Sequence, residues 1–94
     1  MDINFELYKV FYYVASSLSF SEASKQLFVS QSAVSQSIQK LEKKLGQTLF
    51  VRTTKRVNLT EAGSLLFQHI KPAIELIRQG ERQLDERQLV GVTA

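Results

Sequence analysis

Apolar residues recur at helical spacing in four stretches of this chain, and most stretches begin or end on a residue suited to a helix terminus. In the first, Phe5, Tyr8, Tyr12 and Ala15 form one stripe and Leu7, Phe11, Val14 and Leu18 a second, which predicts a helix from about Asn4 to Ser17. A surface helix of a monomer rarely needs two buried faces. One face is therefore expected in the core, and Leu7, Phe11 and Val14 are expected to meet a partner subunit; a deeply buried helix is the competing explanation. The second stretch opens on Ser19-Phe20-Ser21-Glu22, a capping box, and turns Phe20, Ala23 and Leu27 inward. Phe28-Val29 makes a turn, and Ser30 caps a third helix from Gln31 to Leu45. That helix has an inner stripe of Val34, Ile38, Leu41 and Leu45, and its outer face carries Ser32, Gln36, Gln39 and Lys43, flanked by Ser35 and Lys40. Lys43 and Lys44 suit its C-terminus, and Gly46 supplies a left-handed cap.

Phe50-Val51-Arg52 and Val57-Asn58-Leu59 are short strand candidates, with Thr53-Thr54-Lys55-Arg56 as the hairpin tip. Thr60-Glu61 then opens a final helix reaching about Gln88. Gly63, Leu66, Ile70, Ala73, Ile77, Gly80 and Leu84 alternate three- and four-residue steps along it, a seam of small and aliphatic residues. Such a helix is on the order of 40 Å long at 1.5 Å per residue, more than so small a core can cover. Dimerisation through Leu66, Ile70, Ala73, Ile77 and Leu84 is the expectation; an amphipathic helix folded back on its own core is the alternative. Pro72 inside the helix should bend it or leave a carbonyl unpaired. Residues 89–94 read as a strand-prone linker.

At 94 residues the chain suits one small domain with an extended element, marginal in stability unless it oligomerises. No stretch approaches the run of about 20 apolar residues that a membrane span needs, and MDINFE lacks the basic start of a secretory signal. Absence of cysteine fits a cytoplasmic protein and excludes a thiol sensor or zinc–thiolate site in these residues. The net charge of +3 is modest but unevenly spread. Lys25 to Arg56 hold seven Lys or Arg against one acid, Glu42, a net +6, whereas residues 61–94 come to −1. A solvated basic face would read the same way, but this charge lies on the helix-turn-helix itself and so favours nucleic acid.

A helix that reads duplex DNA must bring short polar side chains to base edges in the major groove. Gln pairs with adenine, and Ser or a methyl group meets several edges. Gln31, Ser32, Ala33, Ser35 and Gln36 lie at the N-terminal end of the third helix, the end that enters the groove in this motif. A run of Ser and Gln alone would equally suit an inert solvated face. Arg52, Lys55 and Arg56 suit phosphates or an adjacent minor groove, and Lys25, Lys40, Lys43 and Lys44 suit phosphate positioning. An enzyme is poorly supported, and no cofactor is implied. His69, the single histidine, has no carboxylate cluster beside it, the four glycines make no phosphate loop, and metal-ligand spacings are lacking.

The stretch SFSEASKQLFVSQSAVSQSIQKLEKKLGQTLFVRTTKRVNLTEAG resembles the N-terminal winged helix-turn-helix of LysR-type transcriptional regulators, most specifically in VSQSAVSQSIQKLEKKLGQTLF and RVNLTEAG. The resemblance covers roughly residues 3–85. It implies a bacterial, cytoplasmic, nucleoid-associated regulator whose long helix pairs antiparallel with its partner's and whose first helix helps hold that dimer. The implied ligand is an interrupted inverted repeat in a promoter region. Implied base contacts fall on Gln31, Ser32, Ser35 and Gln36, and implied phosphate or minor-groove contacts on Arg52, Thr53, Lys55 and Arg56. A larger effector-binding domain that takes a small molecule and drives tetramer formation follows in such proteins, so the chain is expected to be their DNA-binding fragment. Four positions depart from the common pattern: Ser32 replaces proline, Gln36 arginine, Ser24 a second alanine, and Leu18 a small residue or glycine.

The expected fold is mainly α: three helices and a short β-hairpin wing (1–59), a long dimerisation helix (60–88), then the start of a hinge (89–94). The expected function is sequence-specific binding of double-stranded DNA as a homodimer. An architectural DNA-binding protein of low specificity and a helical dimerisation module are the alternatives.

Overall fold

A computed structural model describes residues 2–91, with side-chain surroundings for residues 2–86. Its elements follow in the order α1 (Phe5–Ser17), α2 (Phe20–Leu27), α3 (Gln31–Leu45), β1 (Phe50–Arg52), β2 (Val57–Leu59) and α4 (Glu61–Gly91). The architecture is a mainly helical winged helix-turn-helix with a long C-terminal helix, as expected. Helix α4 runs to Gly91, three residues beyond the expected end, so residues 89–91 are helical; the expected hinge residues 92–94 lie outside the described residues.

Local chemistry sets the helix ends. The Asn4 side chain accepts from the Glu6 backbone N–H at 2.8 Å, Ser19 Oγ from Glu22 N–H at 3.0 Å, and Ser30 Oγ from Ala33 N–H at 3.0 Å. Each removes one of the unpaired donors of a helical first turn. The three helices stop on left-handed residues, Leu18 (φ 51°), Phe28 (φ 58°) and Gly46 (φ 69°). Only the last is a glycine, so the first two turns carry the steric cost of a Cβ in that region.

Helix α1 is the centre of the core. Leu7, Phe11, Val14, Ala15, Phe20, Ala23, Val34, Ile38, Leu41, Leu49 and Phe50 form one buried cluster. Phe11 stacks near Phe50 (ring centroids 5.4 Å apart) and meets Phe67 of α4 edge-on at 6.3 Å. The expectation that Leu7, Phe11 and Val14 face a partner is therefore corrected. All three are buried within the chain, Phe11 and Val14 completely, because α2, α3, β1 and α4 pack around α1; Phe5 and Leu18, at the ends of the two stripes, stay exposed.

Strands β1 and β2 pair antiparallel with Phe50 opposite Leu59, Val51 opposite Asn58 and Arg52 opposite Val57. The hairpin and α4 are fastened by one close backbone approach. Thr60 N–H donates to Leu49 O at 3.0 Å, and Thr60 Oγ1 donates to Thr48 O at 2.6 Å while accepting from Gly63 N–H at 2.9 Å. Gly63 is buried there, and the position takes glycine because any Cβ would stand 2.1 Å from Leu49 O. Among the described residues no helix is long and apolar enough to cross a membrane.

Candidate nucleic-acid interface

Helix α3 buries Val34, Ile38 and Leu41, and that choice of inner face puts Gln31, Ser32, Gln36, Gln39, Lys40, Lys43 and Lys44 in solvent. Of the five residues expected to read bases, Gln31, Ser32 and Gln36 are exposed. Ser35 is half-buried and tethered to the wing by Arg52. Ala33 is half-buried too, beside Val29 and Ser37 on the side that faces Glu6, Lys9 and Val10 of α1. The outer face read from the sequence, Ser32, Gln36, Gln39 and Lys43, is exposed throughout, with Ser35 half-buried at its margin.

The wing is built around Thr53. Its N–H donates to Arg56 O at 2.9 Å, and its Oγ1 accepts from the N–H groups of Arg56 (3.1 Å) and Lys55 (3.4 Å). These bonds use the Thr53 hydroxyl inside the turn, where it holds the tip that presents Lys55 and Arg56. Both basic side chains are exposed.

Arg52 does something different. Its guanidinium carbon lies 3.6 Å from the centroid of the buried Phe20 ring, and its Nη1 donates to Ser35 Oγ at 3.4 Å. A cation over an aromatic face at that distance is held electrostatically. The last residue of β1 is thereby fastened to the start of α2 and the exposed side of α3. Between these elements runs an open groove of about 660 Å³ lined by Ser19, Ser21 and Gln31 on one side and Arg52, Lys55 and Arg56 on the other. Charge and hydrogen-bonding groups converge there with no acid among the lining residues, a surface suited to a phosphate backbone. The contribution of the α2 start to this groove was not anticipated; the capping sequence Ser19-Phe20-Ser21 is the signal that carries it.

Glu42, the one acid of the basic stretch, is turned away from this face. Its Oε2 accepts from the N–H groups of Leu49 and Phe50 at 2.7 and 3.3 Å, so its charge anchors the α3–β1 connection.

On α4 the expected seam divides. Leu66 and Ile70 are half-buried against the core, whereas Ala73, Ile77 and Leu84 are exposed. Leu65 and Leu76 extend the exposed apolar face. His69 is exposed and contacts the Leu65 carbonyl through Nδ1 at 3.0 Å, a local helical contact. No group of three or more His, Asp or Glu side chains among the described residues is placed to hold a metal.

Residues 5–64 match the model of a protein family described as bacterial regulatory helix-turn-helix protein, lysR family. A relative in Escherichia coli K12, named as an uncharacterized HTH-type transcriptional regulator YcaN, is 44% identical over 78 residues, covering 83% of this chain and 26% of its own. The chain thus spans about a quarter of the length of that relative. Among solved structures, the BenM_DBD/catB site 1 DNA complex superposes with a TM-score of 0.79 at 25% identity, over 89% of this chain and 93% of that one. Full-length CbnR complexed with its target DNA gives 0.73 at 33% identity, over 86% of this chain and 28% of that one.

Proposed function

This chain belongs to the LysR family of bacterial regulatory helix-turn-helix proteins, and from that premise we propose that it binds specific double-stranded DNA as a homodimer within a transcription regulator. The observation that carries the proposal is the shared orientation of two surfaces. Gln31, at the start of the exposed polar face of α3, and the cationic wing border one groove, and Arg52 ties the wing to α2 and α3 through Phe20 and Ser35.

In this reading α3 enters the major groove, where Gln31, Ser32 and Gln36 meet base edges, with Ser35 and Ala33 at the margin. Lys55 and Arg56 bind phosphates or the neighbouring minor groove, Thr53 shapes the turn that presents them, and Arg52 shares both tasks. Lys40 and Lys43 add phosphate contacts along α3. Residues 1–59 form the DNA-binding unit and α4 the dimerisation helix, whose exposed Ala73, Ile77 and Leu84 meet a second copy. Two copies related by a twofold axis fit an interrupted inverted repeat in a promoter region. In the full-length regulator the linker would lead to a domain that takes a small-molecule effector and supports a tetramer, in the bacterial cytoplasm.

Salt dependence of binding to duplex DNA tests the reading. A dimer that neutralises roughly 6–10 phosphates loses about 10³–10⁵ in affinity between 50 and 200 mM salt. No measurable duplex binding at 50 mM salt would refute it and leave a dimerisation module whose basic face is incidental.

A further inference from the structure

The hold of the domain on α4 changes at Pro72. Before it, Ala62, Leu66, Phe67 and Ile70 pack against the core, and Gly63 sits under the Leu49 backbone. After it only Ile74 is buried and Arg78 half-buried, while the other residues from 73 to 86 are exposed. Pro72 has no amide hydrogen to donate to the carbonyl four residues earlier, so the helix is mechanically softest just where its support thins.

Arg78 makes the one directional attachment described beyond that point. Its Nη2 donates to the Tyr13 hydroxyl, and its guanidinium carbon lies 5.2 Å from the Tyr12 ring centroid and 5.1 Å from that of Tyr13. The two rings are 5.4 Å apart and inclined at 80°, so one cation meets two differently oriented aromatic groups of α1. Apolar packing at Ile74 limits separation of the helices but leaves rotation about that contact inexpensive. A hydrogen bond together with two ring faces restrains rotation as well.

We propose that Arg78, held by Tyr12 and Tyr13, is a positioning residue that fixes the angle at which the distal half of α4 leaves the DNA-binding unit, and so sets the half-site spacing the dimer accepts. The proposal rests on the reading that α4 joins two copies. In such a dimer each α3 reaches its partner through the packing of α4 on its own domain and through the seam, and beyond Pro72 that packing rests on Ile74 and the Arg78 clamp. About 20 residues of helix make a lever of about 30 Å, and a swing of about 7° moves its end by about 3.5 Å, the rise of one base pair. A junction loose by that angle no longer distinguishes spacers differing by a single pair.

The test uses duplexes carrying two copies of the half-site that the chain enriches from a random duplex library, with the spacer varied one base pair at a time, and a duplex with a single half-site. The unaltered chain should lose about tenfold or more in affinity for each step away from the best spacer. Arg78→Ala and Tyr13→Phe should each flatten that profile to about threefold or less, the double variant resembling either single one, with single half-site affinity kept. A profile that stays sharp in both variants overturns the clamp and leaves the dimer reading standing. A flat profile in the unaltered chain overturns the clamp and the paired half-site reading together. Should Arg78→Ala fail to fold, Tyr13→Phe, which removes one oxygen atom, decides the matter alone.

Discussion

Replacing Gly63 with alanine places a methyl group where the backbone of Leu49 already stands. The new Cβ would lie 2.1 Å from Leu49 O, 3.0 Å from Leu49 C and 2.9 Å from Leu59 Cδ2. Carbon and oxygen ordinarily stay about 3.3 Å or more apart, so the overlap exceeds an ångström. Neither side yields easily. Leu49 O is held by the Thr60 N–H at 3.0 Å, and the Thr60 hydroxyl bonds Thr48 O and the Gly63 N–H. Overpacking of this kind costs about 1–3 kcal/mol or more, and contact with backbone puts it at the upper end. Alanine returns about 1 kcal/mol of helix propensity relative to glycine. The net loss of about 2 kcal/mol corresponds to a fall of about 10 °C in melting temperature for a chain of this size. Circular dichroism melts at one fixed protein concentration provide the assay, because dimerisation makes Tm concentration-dependent. An unchanged or raised Tm for Gly63→Ala, as helix propensity alone would give, refutes the close-approach argument.

Gln36→Ala should change sequence preference more than nonspecific affinity, costing about 1–3 kcal/mol on the best site; unchanged discrimination between selected and scrambled duplexes would show that Gln36 reads no base. Arg56→Ala should weaken binding to all sequences alike and reduce the salt slope by about 1, read from affinities at several salt concentrations. Leu84, 67% exposed, should tolerate Asp with little change in monomer fold while the dimer dissociation constant rises about tenfold or more. Sedimentation equilibrium measures that constant, and an unaltered value would remove Leu84 from the interface.

Much of this architecture is readable from local signals. Ser19, Ser30 and Gly46 each mark a helix end by chemistry confined to a few residues, and the structure places caps at all three. The wing strands and their tip were likewise visible as two short apolar runs around Thr53–Arg56. What escaped depends on residues distant in sequence. Periodicity identifies both apolar stripes of α1 but not what covers them, so the packing of α2, α3, β1 and α4 around Leu7, Phe11 and Val14 has no signal within α1 itself. Arg52 reads as one more wing cation; its contact with Phe20 follows only from the fold. The Arg78–Tyr13 contact joins residues 65 positions apart and had no sequence signal beyond two adjacent tyrosines. Residue type alone marks Ser35 and Thr53 as DNA contacts, whereas their roles depend on which hydrogen bonds the fold has already taken up.

The most direct test of the central claim is selection of bound duplexes from a random DNA library by this chain near physiological salt. Sequence-specific binding by a twofold dimer predicts enrichment of an interrupted palindrome with one preferred half-site spacing. Binding without enrichment, or enrichment of a single unpaired half-site, would contradict it.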